Sequence, residues 1–499
     1  MSKSQLINQM QQEMFYFHPI EVPIKVIQTH CSIVFLTGKY AYKLKKDVNF
    51  GFLDYSTLEK RKYFLEQELE MNKVIAPELY LEVLPISYSN DTFILNSDVN
   101  VVDYVLKMNQ FPQENLFINI FESGKLTTVH IKQLGIIVAN FHKTTMTNDY
   151  ISSFGKVEKI ALSINDNYRQ TEKYIGVVQT SQQYEETKAF TDNFLINHQH
   201  IFEKRVITQK IRECHGDLHL KNICIFNDKI QLFDRIEFNE EFRFVDVMYD
   251  VAFTVMDLHS KGEEKLANIF LNTYLEYTGD WEGVMVLPLY LSRQAYVRAK
   301  VTSFLLDDLS VDKEEKEKAK QTAKDYYDLA WKYTKKNRAK LILMSGLSGS
   351  GKSTVACKMA QELNAIHIRS DAVRKHLAQI ALQEKGTNEI YSPEMNDKTY
   401  GRLLELAQLL INAGFTVILD AKYDRISARK PVVEWTKNQQ IPLEIVYCYA
   451  PFSVMCDRIS QRQGDISDAT PEILKKQQEQ LELFTEEEKP LVTKINTDD

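Results

Sequence analysis

The stretch "LILMSGLSGSGKSTVACKMAQEL", residues 341–363, decides the fold of the second half of this chain. Its apolar start is followed by "GLSGSGKS", which fits G-x-x-x-x-G-K-[ST], and then by a helix-forming segment. A strand, a glycine-rich turn and a helix in this order form the loop that wraps the phosphates of a nucleotide. A glycine-rich turn without a ligand is the alternative. The motif and its context together predict a nucleotide site.

Each polar residue of this loop has an expected task. The glycines let successive backbone N–H groups point at the phosphates, Lys352 reaches the β- and γ-phosphates, and the Ser353 hydroxyl binds Mg²⁺. We therefore expect ATP and Mg²⁺ as cofactors. The predicted nucleotide-binding residues are Gly346, Gly349, Ser350, Gly351, Lys352, Ser353 and Thr354.

Charged residues that follow the loop predict the chemistry. Asp371 and Arg374 are one helical turn apart, so a carboxylate can accept a hydroxyl proton while the guanidinium holds an anionic or polar group of the substrate. Asp420 ends a later strand and can orient Mg²⁺ or bind substrate, and Arg458 and Arg462 are spaced as on one face of a lid helix. For each of these charged residues considered alone, an ordinary surface ion pair is the alternative. Their order predicts phosphoryl transfer to a hydroxyl.

The second half alternates strands with helices. Strands predicted at 341–345, about 366–369, 416–420 and 444–449 indicate a parallel sheet with helices on both faces. The charged segment 310–340 predicts a helical connector, so we set the domain boundary near residue 335, with domains at 1–335 and 336–499. The acidic stretch "TEEEKP" and the residues after it are expected to be a frayed end.

The first half predicts a small strand-rich lobe followed by a larger helical lobe. A strand, a turn at Thr37-Gly38 and a second strand precede a helix that begins near Ser56 and Thr57. "TFILNS" and "VVDYVLKM" are further strands, and the chain turns mostly helical after Pro112. A hairpin around residues 227–228 interrupts the helical lobe.

The stretch "HGDLHLKN", residues 215–222, opens that hairpin. Asp217 precedes Asn222 by five residues, the spacing of the catalytic loop of protein kinases and aminoglycoside phosphotransferases. In such a loop the aspartate orients or deprotonates the attacking hydroxyl and the asparagine helps to hold Mg²⁺. Asp234, at the end of "KIQLFD", is placed for a second metal ligand, while His215 is expected to brace the loop.

A kinase-like site also needs a lysine on the strand-rich lobe and a carboxylate on the following helix. "YAYKLKK" offers Lys43 or Lys45, and "LEQELEMN" offers Glu68 or Glu66. The two lysines lie on the same face of a strand, so alternation does not choose between them. We prefer Lys43 and Glu68 as the pair that binds the nucleotide.

Two families share these stretches. The second half resembles the small "AAA-like" P-loop kinases, relatives of gluconate kinase, chloramphenicol phosphotransferase, zeta toxins and polynucleotide kinase, through the loop, the D-x-x-R of Asp371 and Arg374, and "SDAT" at 467–470. Residues 20–260 resemble the aminoglycoside-phosphotransferase-like family that is often fused to such a kinase. The resemblance implies a bilobal protein-kinase-like fold followed by a P-loop domain, and a bifunctional phosphotransferase.

The first half departs from the kinase pattern in two ways. It has no G-x-G-x-x-G segment over the nucleotide, and its metal-binding aspartate stands in "DRI" rather than "DFG". The missing nucleotide loop favours, as an alternative, a kinase fold kept as a substrate-binding or regulatory module.

Composition limits the partners. The 499 residues have a net charge of −7, and residues 338–499 carry 21 Lys and Arg against 22 Asp and Glu, so no general attraction to nucleic acid or membrane is expected. Six cysteines without a C-x-x-C pair, and no signal-like or membrane-spanning apolar run, predict a cytoplasmic protein. A small-molecule or nucleotide-like hydroxyl is the expected acceptor.

Two other functions compete with a small-molecule kinase. One is a nucleotide-gated switch that recruits a partner through a pseudokinase module. The other is a kinase of nucleic-acid 5′-hydroxyl ends, which would hold one or two nucleotides in a local groove formed by Arg374, Arg425 and Arg429.

Overall fold

The computed structural model describes residues 2–51, 53–309, 311–336, 338–462 and 464–498. Ser310 and Asn337, at the two ends of the predicted connector, lie outside the described residues. The chain divides into two compact units. The first comprises Met1–Thr127, Thr144–Ile160 and Glu203–Thr254, and the second comprises Thr128–Lys143, Ala161–Phe202 and Val255–Asp499. The boundary near residue 335 stays a prediction.

The elements up to residue 259 follow the predicted order of strands, then helices, then a hairpin. In chain order they are α1 Lys3–Gln9, β1 Lys25–Gln28, β2 Ser32–Leu36, β3 Tyr40–Lys45, α2 Leu58–Ile75, β4 Tyr80–Ser89, β5 Thr92–Leu95, β6 Val101–Asn109, α3 Phe117–Glu122, α4 Thr128–Thr144, α5 Asp149–Ser152, α6 Val157–Thr171, α7 Ser181–Asn197, α8 Gln199–Ile207, β7 Ile211–Glu213, β8 Ile223–Phe226, β9 Lys229–Leu232, α9 Glu240–Arg243, β10 Phe244–Asp246 and α10 Val247–His259.

The first unit is built on a six-stranded antiparallel sheet in the order β1-β2-β3-β6-β4-β5. The helix predicted near Ser56 and Thr57 is α2, whose N-cap is Thr57. The long strand β4 escaped the sequence analysis because Pro85 lies in its middle, and proline argues against a strand interior. The hairpin around residues 227–228 is confirmed: β8 and β9 pair, and Asn227 and Asp228 both have positive φ.

The remaining elements belong to the second unit. They are α11 Glu264–Thr278, α12 Leu287–Phe304, α13 Lys313–Lys332, β11 Leu341–Ser345, α14 Lys352–Leu363, β12 Ile366–Arg369, α15 Ser370–Leu377, α16 Pro393–Asn412, β13 Val417–Asp420, α17 Ile426–Asn438, β14 Leu443–Tyr449, α18 Phe452–Gln461, α19 Pro471–Glu479 and β15 Val492–Asn496.

The sheet of the second unit is parallel throughout, in the order β12-β13-β11-β14-β15. Its middle strand β11 is buried at every residue and ends where the glycine-rich loop begins. The four predicted strands are present within one residue of their predicted bounds. The predicted fold class, α+β in the first half and a parallel α/β sheet in the second, is confirmed.

The frayed end predicted after "TEEEKP" is wrong. Residues 492–496 form β15, which pairs in parallel with β14 and becomes an edge of the sheet. Ile495 packs against the apolar cluster beneath the sheet. The prediction took the acidic run for a solvent-exposed end. Its last residue, Glu488, instead pairs with the buried Arg429 and anchors the chain just before the strand.

Among the described residues, no helix is both long enough and apolar enough to span a lipid bilayer.

Replacing Ile495 by aspartate should lower the midpoint of thermal unfolding, roughly by 4–8 °C, because a carboxylate would replace an apolar contact under the sheet. Lys494→Asp is the matched control, since Lys494 is an exposed residue of the same strand. Thermal unfolding followed by circular dichroism measures both variants. Equal midpoints for the two variants would show that β15 contributes no packing.

Candidate active sites

The glycine-rich loop after β11 depends on glycine at several positions. Gly346, Gly349 and Gly351 have φ values of 136°, 78° and 78°, which other residues rarely adopt. A Cβ atom on Gly346 would lie 2.3 Å from the carbonyl oxygen of Cys448, and one on Gly349 would lie 2.6 Å from that of Met455. The backbone therefore passes close to its neighbours and directs the N-terminus of α14, which begins at Lys352, toward the loop.

Lys352 has no carboxylate within salt-bridge distance in the described chain. Its Nζ donates a hydrogen bond to the carbonyl oxygen of Leu347 at 2.7 Å. Burial lowers the pKa of this ammonium group, although Asp420 and Asp371 partly oppose the shift. Ser350, in the same loop, has a buried Oγ that makes no hydrogen bond to any described residue. The loop is thus short of negative charge, as a phosphate site should be.

One cavity of about 750 Å³ brings most of the predicted residues together. Among the residues that line it are Gly349, Gly351, Lys352, Ser353, Thr354, Asp371, Arg374, Asp420, Arg458 and Arg462. Gly346 and Ser350 belong to the loop but do not line the cavity. The fold therefore brings the predicted loop residues and the predicted charged residues into one site.

Asp420 is held in its ionised form. It ends β13 opposite Arg369 of β12, and its Oδ2 lies 3.0 Å from Nε2 of His367. Burial favours the neutral carboxyl group, but the His367 hydrogen bond and the charges of His367, Arg369 and Lys352 outweigh it and lower the pKa of Asp420 to about 2. A buried carboxylate that stays charged at neutral pH is suited to hold Mg²⁺.

Asp371 and Arg374 lie on one face of α15, as predicted. Their side chains approach to 3.5 Å, and Arg374 Nη2 donates to Asn396 Oδ1 at 2.7 Å. The ring of Tyr391 lies 5.0 Å from the Arg374 guanidinium carbon. Arg374 is 6 % exposed, yet its Nε has no partner among the described residues. Arg374 thus lines the cavity beside Asp371 and keeps one buried N–H group without a hydrogen-bond partner among the described residues.

Tyr391 and Asp468 complete this part of the cavity and were missed by the sequence analysis. The Tyr391 hydroxyl donates to Asp468 Oδ2 at 2.7 Å, and the N–H of Gly386 donates to the same oxygen at 3.0 Å. Asp468 belongs to the "SDAT" stretch that suggested the family resemblance. That stretch was the one signal in the sequence that pointed to it.

Arg458 and Arg462 both line the cavity, but only Arg458 lies within a helix. Helix α18 ends at Gln461, so the prediction of two arginines on one helix face is wrong for Arg462. Arg458 Nη1 donates to Thr497 Oγ1 at 3.0 Å, and that hydroxyl donates to the carbonyl oxygen of Ser350 at 3.0 Å. Arg462 turns instead toward Asp465, 3.9 Å away.

The prediction of a groove formed by Arg374, Arg425 and Arg429 is wrong for Arg429. Arg429 is fully buried, with Nε donating to Glu488 Oε1 at 2.8 Å and Nη1 donating to the Tyr423 carbonyl at 3.0 Å. It holds the C-terminal segment and has no access to a ligand. Arg425 does line the cavity.

The first unit contains a second constellation, built around Lys43. Its Nζ lies 2.6 Å from Glu68 Oε1 and 2.5 Å from Asp234 Oδ1, so β3, α2 and the segment after β9 meet at one ammonium group. Burial opposes the charge on Lys43, but Asp234 and Glu68 outweigh it and raise its pKa well above the usual value. In the same way, the positive charges of Lys43 and Lys45 outweigh the effect of burial on Glu68 and lower its pKa to about 2.

Lys45 has a different environment from Lys43. It is 1 % exposed and contacts Glu68 Oε2 at 2.8 Å and Glu237 Oε1 at 2.5 Å, while the Tyr55 hydroxyl donates to the same Glu237 oxygen at 2.5 Å. Lys43 is paired instead with Asp234, whose side chain is 44 % exposed. Of the two lysines, Lys43 therefore has the neighbour that solvent or a ligand can reach. Glu66 is half exposed and lies 3.7 Å from Lys62 of the same helix, so the preference for Glu68 agrees with the contacts.

Glu237 and Tyr55 were not foreseen from the sequence. Glu237 follows Asp234 by three residues in "DRIEF", and nothing local shows that its partner is a lysine 192 residues away.

The "HGDLHLKN" loop is held from several directions. Asn222 Nδ2 donates to the carbonyl oxygen and to Oδ2 of Asp217, at 3.0 and 3.2 Å. His215 braces the loop, as predicted: its Nε2 lies 2.9 Å from the carbonyl oxygen of Phe233, and its Nδ1 accepts from the N–H of Asp217. Asp250 accepts hydrogen bonds from the N–H groups of residues 215 and 216. Asp217 itself remains about one-third exposed.

Comparison with known proteins gives one family match and several similarities. Residues 341–484 match the family described as an AAA domain, which confirms the resemblance predicted for the second half. The chain is similar to an uncharacterized protein of Mycobacterium tuberculosis, with 27 % identity over 462 residues, covering 91 % of this chain and 90 % of that protein. An uncharacterized protein of Mycobacterium bovis matches with the same figures.

Solved structures are similar to parts of the chain. A choline/ethanolamine kinase family protein from Mesorhizobium loti matches with 9 % identity over 66 % of this chain and 98 % of its own, at a TM-score of 0.39. The APS kinase of Mycobacterium tuberculosis, solved with AMPPNP and APS, matches with 22 % identity over 33 % of this chain and 91 % of its own, at a TM-score of 0.24.

Replacing Lys45 by methionine should lower the unfolding midpoint roughly by 6 °C or more, because it leaves the buried Glu237 carboxylate without its ammonium partner. Lys43→Met is the matched variant. Its effect on stability should be smaller, since Glu68 keeps Lys45 and the exposed Asp234 is solvated. Thermal unfolding of both variants tests this ranking, and the reverse order would contradict the assignment of Lys45 as the structural lysine.

Proposed function

We propose that the cavity of the second unit is the active site of a phosphotransferase that moves the γ-phosphoryl group of Mg·ATP to a hydroxyl group. One observation carries the proposal: the glycine-rich loop, the ionised Asp420 and the carboxylate of Asp371 line the same cavity. A nucleotide-gated switch would need the first two but has no use for a carboxylate beside an arginine with unsatisfied capacity.

Each side chain then has a chemical task. The loop N–H groups and Lys352 neutralise the phosphates, while Ser353 and Asp420 would hold Mg²⁺, which supplies charge neutralisation between the β- and γ-phosphates when bound. Asp371 accepts the proton of the acceptor hydroxyl. The hydroxyl oxygen then forms a bond to the γ-phosphorus as the bond between that phosphorus and ADP breaks. Arg458 and Arg462 stabilise the negative charge of the transferring group.

The acceptor that fits this cavity is a small-molecule or nucleotide-like alcohol with an anionic group. Eight basic residues line the cavity, against four acidic ones: Lys352, Arg369, Arg374, Lys422, Arg425, Arg458, Arg462 and Lys476, against Asp371, Asp420, Asp465 and Asp468. This excess is local, because residues 338–499 as a whole carry slightly more acidic than basic residues. Arg374, which lines the cavity beside Asp371, is the arginine that would meet the acceptor anion.

We also propose that the protein works in the cytoplasm. All six cysteines are free thiols, which fits a reducing compartment with ATP.

A second phosphotransferase site is proposed in the first unit. Lys43 contacts both Glu68 and Asp234, and Asp217 and Asn222 are hydrogen-bonded within one loop. These are the parts that a kinase-like site needs. A pseudokinase would have no reason to keep Asp217 and Asp234 both accessible to solvent.

Asp371→Asn should leave Mg·ATP affinity within about twofold of the wild type and lower phosphoryl transfer about 10²-fold or more, because the amide no longer accepts the acceptor proton. The assay follows transfer of labelled γ-phosphate to sugars, sugar acids, nucleosides, nucleotides and 5′-hydroxyl oligonucleotides. Asp397→Asn, an exposed carboxylate on α16, is the control and should transfer normally. ATP hydrolysis with no acceptor in the whole panel would favour the switch.

The two sites should be separable in the full-length chain. Lys352→Ala should remove Mg·ATP binding at the second unit, and Asp217→Ala should abolish a Mg²⁺-dependent activity that survives Lys352→Ala. Calorimetry of the wild type should then give two nucleotide sites, and Lys352→Ala should leave one. A single site in the wild type, lost with Lys352→Ala, together with unchanged activity of Asp217→Ala, would make the first unit a pseudokinase module.

A further inference from the structure

Helix α11 lies against the edge strand β12 of the parallel sheet. The Asn272 side chain makes hydrogen bonds to the backbone of this edge, as a neighbouring strand would. Its Oδ1 accepts from the N–H of His367 at 2.8 Å, and its Nδ2 donates to the carbonyl oxygen of Ala365 at 3.0 Å. Asn268 Nδ2 donates to the same carbonyl oxygen at 3.0 Å. These bonds satisfy the backbone groups that an edge strand leaves open.

Glu276 continues the same face of α11, one turn beyond Asn272. Its Oε1 lies 3.5 Å from Nη1 of Arg369, the last residue of β12, and its carbonyl oxygen lies 2.8 Å from Nε2 of His376 on α15. Residues 268, 272 and 276 are spaced i, i+4, i+8, so one stripe of α11 contacts both the strand and the helix that carry Arg369 and Asp371.

Arg369 connects Glu276 to residues 464–468, which follow the predicted lid helix and line the cavity through residues 465, 467 and 468. We call residues 464–468 the lid segment. Its other nitrogen, Nη2, donates to Asp465 Oδ1 at 2.5 Å, and Asp465 lies 3.9 Å from Arg462. Asp465 also accepts from the N–H of Ser467 at 3.0 Å, which orders the residues before Asp468. Burial opposes the charge of Arg369, but Glu276, Asp465 and Asp420 outweigh it and raise its pKa. Arg369 therefore keeps its charge and both carboxylate partners.

This ion-pair chain forms a wall of the active-site cavity. Arg369, Arg458, Arg462 and Asp465 line both that cavity and a second one of about 670 Å³, which Glu276 and Tyr277 also line. Displacing Arg369 would therefore open the active-site cavity on the side where Arg458 and Arg462 face the transferring phosphoryl group.

We propose that Glu276 is a positioning residue of the P-loop site. It orients the Arg369 guanidinium so that Nη2 faces Asp465, and through Arg369 it holds the lid segment in its place at the wall of the cavity. The inference rests on the proposed phosphotransferase and deepens it, because a helix that precedes the glycine-rich loop by about 70 residues becomes a working part of the site. Residues before 335 are then required for full activity of the P-loop domain.

A second ion pair provides a matched control. Glu282 Oε1 lies 2.5 Å from Nη2 of Arg402 on α16, and its side chain is 26 % exposed, close to the 21 % of Glu276. Glu276 pairs with Arg369 on strand β12, and Glu282 pairs with Arg402 on helix α16. Of the two pairs, the Glu276 pair is the one that the described contacts continue to the lid segment, through Arg369 and Asp465. A purely structural role predicts the same result for both glutamates.

The test uses the full-length protein with Glu276→Ala, Glu282→Ala, Asp465→Ala and the double variant of Glu276 and Asp465. Amide hydrogen exchange of residues 464–470 should quicken roughly three- to tenfold in Glu276→Ala, and the KM for Mg·ATP should rise by a similar factor, with a smaller change in kcat. Glu282→Ala should leave both values unchanged. The double variant should be no worse than Asp465→Ala, because both residues act through Arg369.

Two results would overturn the inference: equal exchange and KM in Glu276→Ala and Glu282→Ala, or additive effects of Glu276→Ala and Asp465→Ala. Hydrogen exchange needs no turnover, so it keeps this test separate from the proposed function. Absence of Mg·ATP binding by the wild type would refute the phosphotransferase, whereas normal binding with an unaltered lid in Glu276→Ala would refute only the role of Glu276.

Discussion

Removing the charge of a lysine from water is unfavourable unless an opposite charge lies beside it, and the two proposed sites differ in how that charge is supplied. Lys43 contacts two carboxylates, which raise its pKa, whereas Lys352 contacts a neutral carbonyl group and burial lowers its pKa. A phosphate that binds Lys352 supplies the missing negative charge. A phosphate that binds Lys43 must displace Asp234, which is free to turn toward a metal ion because its side chain is half exposed. The P-loop site is therefore electrostatically ready for a nucleotide, and the kinase-like site requires an exchange of partners.

The same constraint explains why further charged residues lie around Lys43 in the first unit and around Asp420 in the second. Glu68 sits between Lys43 and Lys45, so it keeps a cation when Lys43 turns to a ligand. Lys45 in turn binds Glu237, which stands three residues after Asp234. The segment that carries Asp234, the proposed metal ligand, is thus tied through Glu237 and Lys45 to the Glu68 carboxylate that also holds Lys43. In the second unit, His367 and Arg369 do the equivalent work for Asp420 by keeping its carboxylate charged.

What the sequence predicted well was local. The glycine-rich loop, the Asp217–Asn222 spacing, the Asp371–Arg374 turn and the hairpin at residues 227–228 are each encoded within a few residues, and all have the predicted local geometry. What it predicted poorly depends on partners far along the chain. The sequence indicates a surface arginine at Arg429, because nothing local shows its pairing with Glu488. It does not distinguish Lys45 from Lys43, because the contact of Lys45 with Glu237 appears only in the fold. Charge and spacing show which groups are present but not which of them fold against each other.

The edges of the parallel sheet show why such distant partners matter for the site. A parallel sheet leaves unpaired backbone groups at both edges, and these must be covered. At one edge β15 pairs with β14, and Thr497, which follows it, bonds Arg458 and Ser350. At the other edge the asparagines of α11 cap β12, and Glu276 bonds Arg369. Neither segment belongs to a recognisable motif, yet each one both completes the sheet and contacts a residue of the active-site cavity. The need to cover the sheet edges thus brings side chains from outside the motif to the site where the motif would act.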